Sequence, residues 1–190
     1  AVAHGRKPED IKVFTMLTVV TGATDAEARA KFDDYRRYGL REGALALISG
    51  WTGVDMSALD ADGRIEHVQT EAIRAMAESL CAKSVGEWAD HLIVGGAAPE
   101  VVGAPATVVD EMERWMDETG IDGFNLSYTV LPECITEFVD LVVPEMQRRG
   151  IYKTAYAPGT MREKLFGDGS RLQSPHPAAR FRLPSTAVGA

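Results

Sequence analysis

The stretch IKVFTMLTVVTGATDAEARAKFDDY, residues 11–35, decides the fold. Its opening, residues 11–22, is a near-continuous apolar run rich in Val, Thr and Phe and closed by Gly22. Such a β-branched run predicts a strand buried on both faces, as in a parallel sheet. Thr24 or Asp25 then caps a helix. Ala28, Phe32 and Tyr35 recur at i, i+4 and i+7 and form its apolar stripe. Glu27, Arg29, Lys31, Asp33 and Asp34 fill the opposite face. The stretch therefore reads as one βα unit.

Working outward, residues 39–62 read as irregular, with Gly39, Gly43, Gly50 and Gly53 around the apolar segment LALISGWTGV, residues 45–54. Ile65, Val68, Ala72, Met76 and Leu80 predict a helix over 64–82. Ser84 and Glu87 form a capping-box pattern ahead of Trp88 and Leu92. GGAAPE, residues 95–100, is a turn. The βα rhythm then resumes, with a short strand at 101–103 and a helix at 105–119. Pro105 suits that helix's first turn and Gly120 its end. Its stripe is Val108, Val109, Met112, Trp115 and Met116. GFNLSYT, residues 123–129, is a third strand. A helix over 136–149 ends at Gly150, and Pro144 should kink or split it. A short helix spans 160–166, and upstream, residues 1–10 turn around Gly5 and Pro8.

The composition bounds the function. The chain has 190 residues, 45% hydrophobic and 25% charged, enough apolar material for a core. Twenty Lys and Arg against 28 Asp and Glu give a net charge of −8, a poor footing for nucleic acid. The longest apolar stretches, about a dozen residues, are too short for a bilayer helix, so no membrane partner is expected. Cys81 and Cys134 belong to no CxxC pair and read as small core residues of a reducing, cytoplasmic setting. His4, His67, His91 and His176 are scattered without ligand spacing, so no metal site is expected. There is no GxSxG elbow and no GxGxxG loop. Asp33–Asp34 and Asp110–Glu111 read as solvated helix faces. No signal peptide precedes the first strand, and the start at Ala1 reads as the middle of a longer protein. Three parallel strands fit either a small open α/β domain or the last part of a (β/α)8 barrel.

Several blocks carry a resemblance. They are HGRKPEDIKVF with the strand ending at Gly22 and TDAEARAKFDDY, then VVGAPATVVDEMERWMDETGIDGFNL, then EFVDLVVPEMQRRGIYKTAY and GTMREKLF. In order and spacing, over residues 4–166, they resemble the bacterial-luciferase-like flavin monooxygenases. The subgroup is that of nitrilotriacetate monooxygenase component A, dibenzothiophene-sulfone monooxygenase and dimethyl-sulfide monooxygenase. The resemblance implies an α/β fold, the C-terminal part of a (β/α)8 TIM barrel over residues 1–166. Strands six, seven and eight would lie at 11–22, 101–103 and 123–128, with a helical insertion at 41–100 before strand seven. An extended tail would occupy 167–190. It also implies a two-component monooxygenase that uses reduced FMN and O2 on a small organosulfur or organonitrogen substrate. A separate NAD(P)H:flavin reductase would supply the FMNH2, and the protein would be a homo-oligomer. A deazaflavin (F420) oxidoreductase on the same barrel, or a non-enzymatic half-barrel interaction module, are the alternatives. The family's flavin-phosphate segments lie upstream, so the chain alone should bind flavin poorly and be inactive.

No catalytic residue stands out. An absent acid–base set is consistent with a flavin oxygenase, where the cofactor carries the oxidation and the protein orients and shields. Three segments are candidates for a substrate or flavin pocket. Trp51, Thr52 and Gly53 belong to SGWTGVD, residues 49–55, where glycines allow close approach and the indole is a flat wall. In sulfone-oxidising members this stretch resembles a His-Thr-Gly loop. Trp51 in place of that His removes a proton donor, and its indole either lines the pocket or anchors the insertion. Gly96, Ala97 and Ala98 leave room for a ligand or simply connect. Phe124 and Asn125 stand on the third strand, Phe124 suited to the core and Asn125 to a polar role. The insertion should cap the ligand end of the barrel.

Overall fold

The computed structural model describes residues 1–60, 62–63, 84–172, 174 and 176–181. The chain divides into a larger unit, Val13–Tyr152, and a smaller one made of Ala1–Lys12 and Lys153–Ala190.

The larger unit is built on a parallel sheet of three strands, β1 (Phe14–Thr21), β2 (Glu100–Gly103) and β3 (Gly123–Ser127), in the order β2-β1-β3. β1 is the longest of the three and is buried from Leu17 to Thr21. A long apolar strand gains most from being paired on both edges. The two neighbours are staggered along it: β2 pairs with Thr18–Thr21 and β3 with Phe14–Thr18. The first half of β1 is open, with Phe14 and Met16 each 49% exposed, so the expectation of burial on both faces holds only for its second half.

Helices cover both faces of the sheet. Leu17, Val19 and Val101 pack with Val108 and Val109 of α4 (Pro105–Thr119) and with Phe138, Val142 and Met146 further on. Val20 and Val102 pack instead with Phe32 of α1 (Asp25–Tyr38) and with Val94. Successive strand residues point to opposite faces, so α1 and α4 lie on opposite sides. Consecutive strands of a barrel would place β2 in the middle and keep all helices outside. Among the described residues the strands therefore do not follow the consecutive six, seven, eight order: the sheet is centred on β1, with helices on both of its faces.

Local chemistry explains the element ends. The Thr24 side chain accepts the Glu27 N–H at 3.2 Å, and the Asp25 carboxylate accepts from Ala104 N (2.7 Å) and Thr107 Oγ1 (2.8 Å). These bonds tie the start of α1 to the β2–α4 turn. Gly103 is required there, because a Cβ would lie 2.7 Å from Thr107 Cγ2. Ser84 and Glu87 form both halves of the expected capping box before α3 (Val85–Leu92).

Three local expectations need correction. Residues 41–52 are not irregular but form α2 (Arg41–Thr52), with Ala44, Ile48 and Thr52 as a buried stripe and Gly43 and Gly50 on its exposed side. Gly53, at φ +71°, ends it. Met116 is 41% exposed rather than part of the α4 stripe. The last helix of this unit starts early, as α5 (Glu133–Glu137), passes through a π turn (Phe138–Val142) and continues as α6 (Val143–Arg148). Pro144 lacks the N–H that a regular helix would use, and the wider turn falls directly before it. The helix expected at 64–82, with His67 and Cys81, lies outside the described residues.

α2, α3 and the turn at Met56–Ala58 share a second core of Ala44, Ile48, Met56, Val85, Trp88, Ala89 and Leu92. In the smaller unit, α7 (Met161–Phe166) is capped by Thr160 and Glu163, and short 3-10 turns occupy Val2–His4, Pro8–Asp10 and Pro177–Arg180. No described helix is long and apolar enough to cross a membrane.

Candidate functional site

The stagger of the sheet creates the site. Thr18 of β1 faces Glu100, the first residue of β2, and Ser127, the last of β3. The turn entering β2 thereby meets the chain leaving β3. Gly95 sits at φ +75° and Gly96 at φ +67°. The Gly95 carbonyl accepts from Thr18 Oγ1 (3.3 Å) and Ser127 Oγ (3.4 Å), and Thr18 N donates to Pro99 O (2.8 Å). A Cβ on residue 95 would stand 2.5 Å from Thr18 Cγ2, so only glycine fits this approach. The GGAAPE turn is thus pinned onto the sheet.

Beside it opens a cleft of about 730 Å³. One wall is the end of α1, with Asp34, Tyr35 and Tyr38; another is α2, with Leu47 and Trp51. The turn supplies Ile93 to Ala97, and β3 with its following loop supplies Ser127 to Val130. Met16 of β1 lies at the floor between them. Trp51 stands in the last turn of α2 and also packs against the α2–α3 core, so it anchors that core and walls the cleft at once.

The electrostatics are one-sided. Lys31 Nζ donates to Thr21 O (2.9 Å), is ion-paired with Glu137, and has Glu133 at 4.0 Å. Asp34 is paired with Arg37 at 3.3 Å. Burial, then the charges of Glu133 and Glu137, push the Tyr35 phenol far above its usual range. The Tyr35 and Thr129 hydroxyls are buried, and the Glu133 carboxylate beside the Tyr35 phenol opposes its ionisation by its charge and as a hydrogen-bond acceptor. Among the described residues lining the cleft there is no Lys, Arg or His. The walls therefore suit a flat apolar ring system, and they offer no cation for a phosphate.

Of the eight candidate residues, the structure places Trp51, Gly96 and Ala97 in the cleft lining. Thr52 is buried, its Oγ1 donating to Ile48 O (2.8 Å), and Gly53 is the cap that follows. The 49–55 segment is therefore the end of a helix rather than a loop through residue 52. Ala98 is 1% exposed and sits in the interior. Phe124 lies on the α4 face, tilted against Trp115 at 6.5 Å between ring centroids. Asn125 is exposed opposite Met16 and meets its polar demand in solvent. The cleft residues that sequence reasoning missed are Tyr35, Tyr38, Tyr128 and Thr129. The available signal was an aromatic pair at i, i+3 just before Gly39 and a polar-aromatic exit from the third strand.

No protein-family model matches the chain. It is 43% identical over 189 residues to the dimethyl-sulfide monooxygenase of Hyphomicrobium sulfonivorans, covering 96% of this chain and 39% of that protein. It is 40% identical over 190 residues to the long-chain alkane monooxygenase of Geobacillus thermodenitrificans, covering 99% and 40%. The crystal structure of DmoA from Hyphomicrobium sulfonivorans superposes with a TM-score of 0.80 at 44% identity, over 94% of this chain and 39% of that one. A riboflavin lyase, crystallised with modified FMN and riboflavin, gives 0.84 at 29% identity, over 96% and 41%. The chain spans about two fifths of the length of these relatives.

Proposed function

The chain belongs to the luciferase-like two-component flavin monooxygenases, and on that premise we propose that it forms the C-terminal part of a reduced-FMN-dependent monooxygenase and carries the substrate side of its pocket. The observation that supports this most is the aromatic cleft pinned to β1 and β3 by the Gly95 carbonyl. In this reading Trp51, Gly96 and Ala97 form the wall that holds a small organosulfur or organonitrogen molecule and keeps water away from it. The two described helices of the insertion, α2 and α3, act as its cap.

FMN is the cofactor of this reading, in line with its presence in a structural neighbour. Its reduced ring supplies the two electrons that let one atom of O2 enter the substrate while the other leaves as water. The cleft does not fit the whole cofactor, because no cation lines it among the described residues; in this reading the phosphate would be held by other segments. An NAD(P)H:flavin reductase would deliver FMNH2, and the holoprotein would be a cytoplasmic homo-oligomer on a barrel framework. The barrel reading draws its support from the superposition on DmoA, against the open strand order of this chain.

The test is a chimera that joins the upstream three fifths of the Hyphomicrobium dimethyl-sulfide monooxygenase to this chain. Supplied with FMNH2 by a reductase, and with O2 and a panel of sulfides and amines, it should form oxygenated product only when reduced FMN is present. A folded, FMN-binding chimera that consumes FMNH2 without product on every substrate would refute the proposal.

A further inference from the structure

We infer that the cleft takes a small organic cation, an alkylated ammonium, with Tyr38, Trp51 and Tyr128 as its aromatic walls and Asp34 as its counter-charge. This rests on the reading of the cleft as the substrate side of the pocket and names the substrate class. Three observations carry it.

The first is a set of rings that the chain leaves without cations. Elsewhere its aromatic faces are taken by its own side chains. Arg29 and Arg36 stand 5.6 and 5.9 Å from the centre of the Phe32 ring, and Lys153 and Lys164 stand 4.8 and 5.8 Å from that of Tyr156. Arg162 covers Phe166 at 5.0 Å and Arg180 covers Phe181 at 4.8 Å. Tyr38, Trp51 and Tyr128 line one cleft, and no described Lys or Arg stands over any of them. Tyr38 and Tyr128 are 77% and 63% exposed, so a ligand reaches their rings. A ring face attracts a cation through its quadrupole, and an alkylated ammonium, weakly hydrated, gains most from it.

The second is the charge of the lining. Asp34 is the carboxylate on the cleft wall, and no Lys, Arg or His joins it among the described residues. It is half exposed and paired at 3.3 Å with Arg37, which does not line the cleft. A surface pair of this kind is weak, so a bound cation can share the carboxylate. The nearby Lys31 is committed to Thr21 O and Glu137. The unit around the cleft carries 11 Lys and Arg against 24 Asp and Glu, a field that draws cations in.

The third is the rest of the wall. Met16, Leu47, Ile93 and Val130 supply apolar surface that suits alkyl groups around a charge. Among the described residues no group of His, Cys, Asp and Glu gathers that could hold a metal ion. The cation is therefore organic.

The test is binding to the 190-residue chain by isothermal titration calorimetry at pH 7, with choline and 3,3-dimethylbutan-1-ol, its uncharged isostere, as probes. Choline should bind roughly tenfold more tightly, the worth of one or two cation–π contacts. Tyr38→Leu with Tyr128→Leu should cut that preference to about threefold or less, while Tyr38→Phe with Tyr128→Phe should keep it, because phenylalanine retains the ring face. Both tyrosines are exposed, so these variants should fold, with unchanged circular dichroism. Asp34→Asn should weaken choline about threefold and leave the alcohol unchanged. Equal affinity for the two probes, a preference that survives in the leucine pair or is lost in the phenylalanine pair, or no binding of choline would each overturn the inference. Because this readout needs neither flavin nor O2, its failure would leave the monooxygenase reading standing, and an inactive chimera would leave the binding result intact.

Discussion

Gly95 shows how much one residue carries. Its carbonyl holds the turn to two strands, and its positive φ and the nearness of Thr18 exclude a Cβ. Gly95→Ala should therefore cost about 1–3 kcal/mol, read as a lower melting temperature, and should weaken binding at the cleft; a variant as stable as the parent would show that the turn is free to shift. Carboxylates set the acid limit of stability. Glu145 is held down to about 2 by hydrogen bonds from Arg148 and then Arg149, and Asp25 is lowered by the Ala104 N–H and then Thr107. A folded-state value below the ordinary one means the stabilisation is present above about pH 4.5 and is lost as pH falls toward 2. Melting temperature should decline over that window, and Glu145→Gln should flatten the decline; an unchanged profile would remove Glu145 as its cause. The caps at Thr24 and at Ser84 with Glu87 were legible in the sequence because capping is local chemistry. Tyr35 was not, since helical spacing tells which side of α1 it occupies and not that the core stops short of its hydroxyl.

At the scale of elements, β1, α1 and α4 were readable because their apolar periods agree with their surroundings. α2 was hidden by Gly43 and Gly50, which lower helix propensity by roughly 1 kcal/mol each. Its buried Ala44, Ile48 and Thr52 stripe outweighs them through packing with α3. Strand order was illegible for a different reason. The crossovers β1–β2 and β2–β3 are compatible with β2 in the middle or β1 in the middle, and the choice depends on which strand gains most from two neighbours. It has a direct test. Met16 and Asn125 are exposed Cα partners across β1 and β3. Met16→Cys with Asn125→Cys, in a background lacking Cys81 and Cys134, should cross-link rapidly with a short bifunctional thiol reagent. No cross-link in a folded variant would mean that β1 and β3 are not neighbours and that the barrel order holds.

Across the whole molecule, charge is divided as sharply as structure. The smaller unit carries nine Lys and Arg against four Asp and Glu, while the larger, with the cleft, carries 11 against 24. An acidic body around a cleft whose described lining carries no cation opposes a phosphate-bearing cofactor. The 190-residue chain should therefore leave FMN fluorescence unquenched at micromolar concentrations, and quenching at that level would show a phosphate site within it. In the proposed function, what the chain contributes is the wall in which Trp51 stands. The measurement that tests this most directly is Trp51→Ala in the chimera, with KM, FMN affinity and melting temperature followed together. The account predicts a KM raised about tenfold or more at unchanged FMN affinity, as expected when one large ring is lost from a substrate wall. A variant that melts many degrees lower yet turns over with the parent's KM would contradict it, leaving Trp51 as an anchor of the α2–α3 core alone.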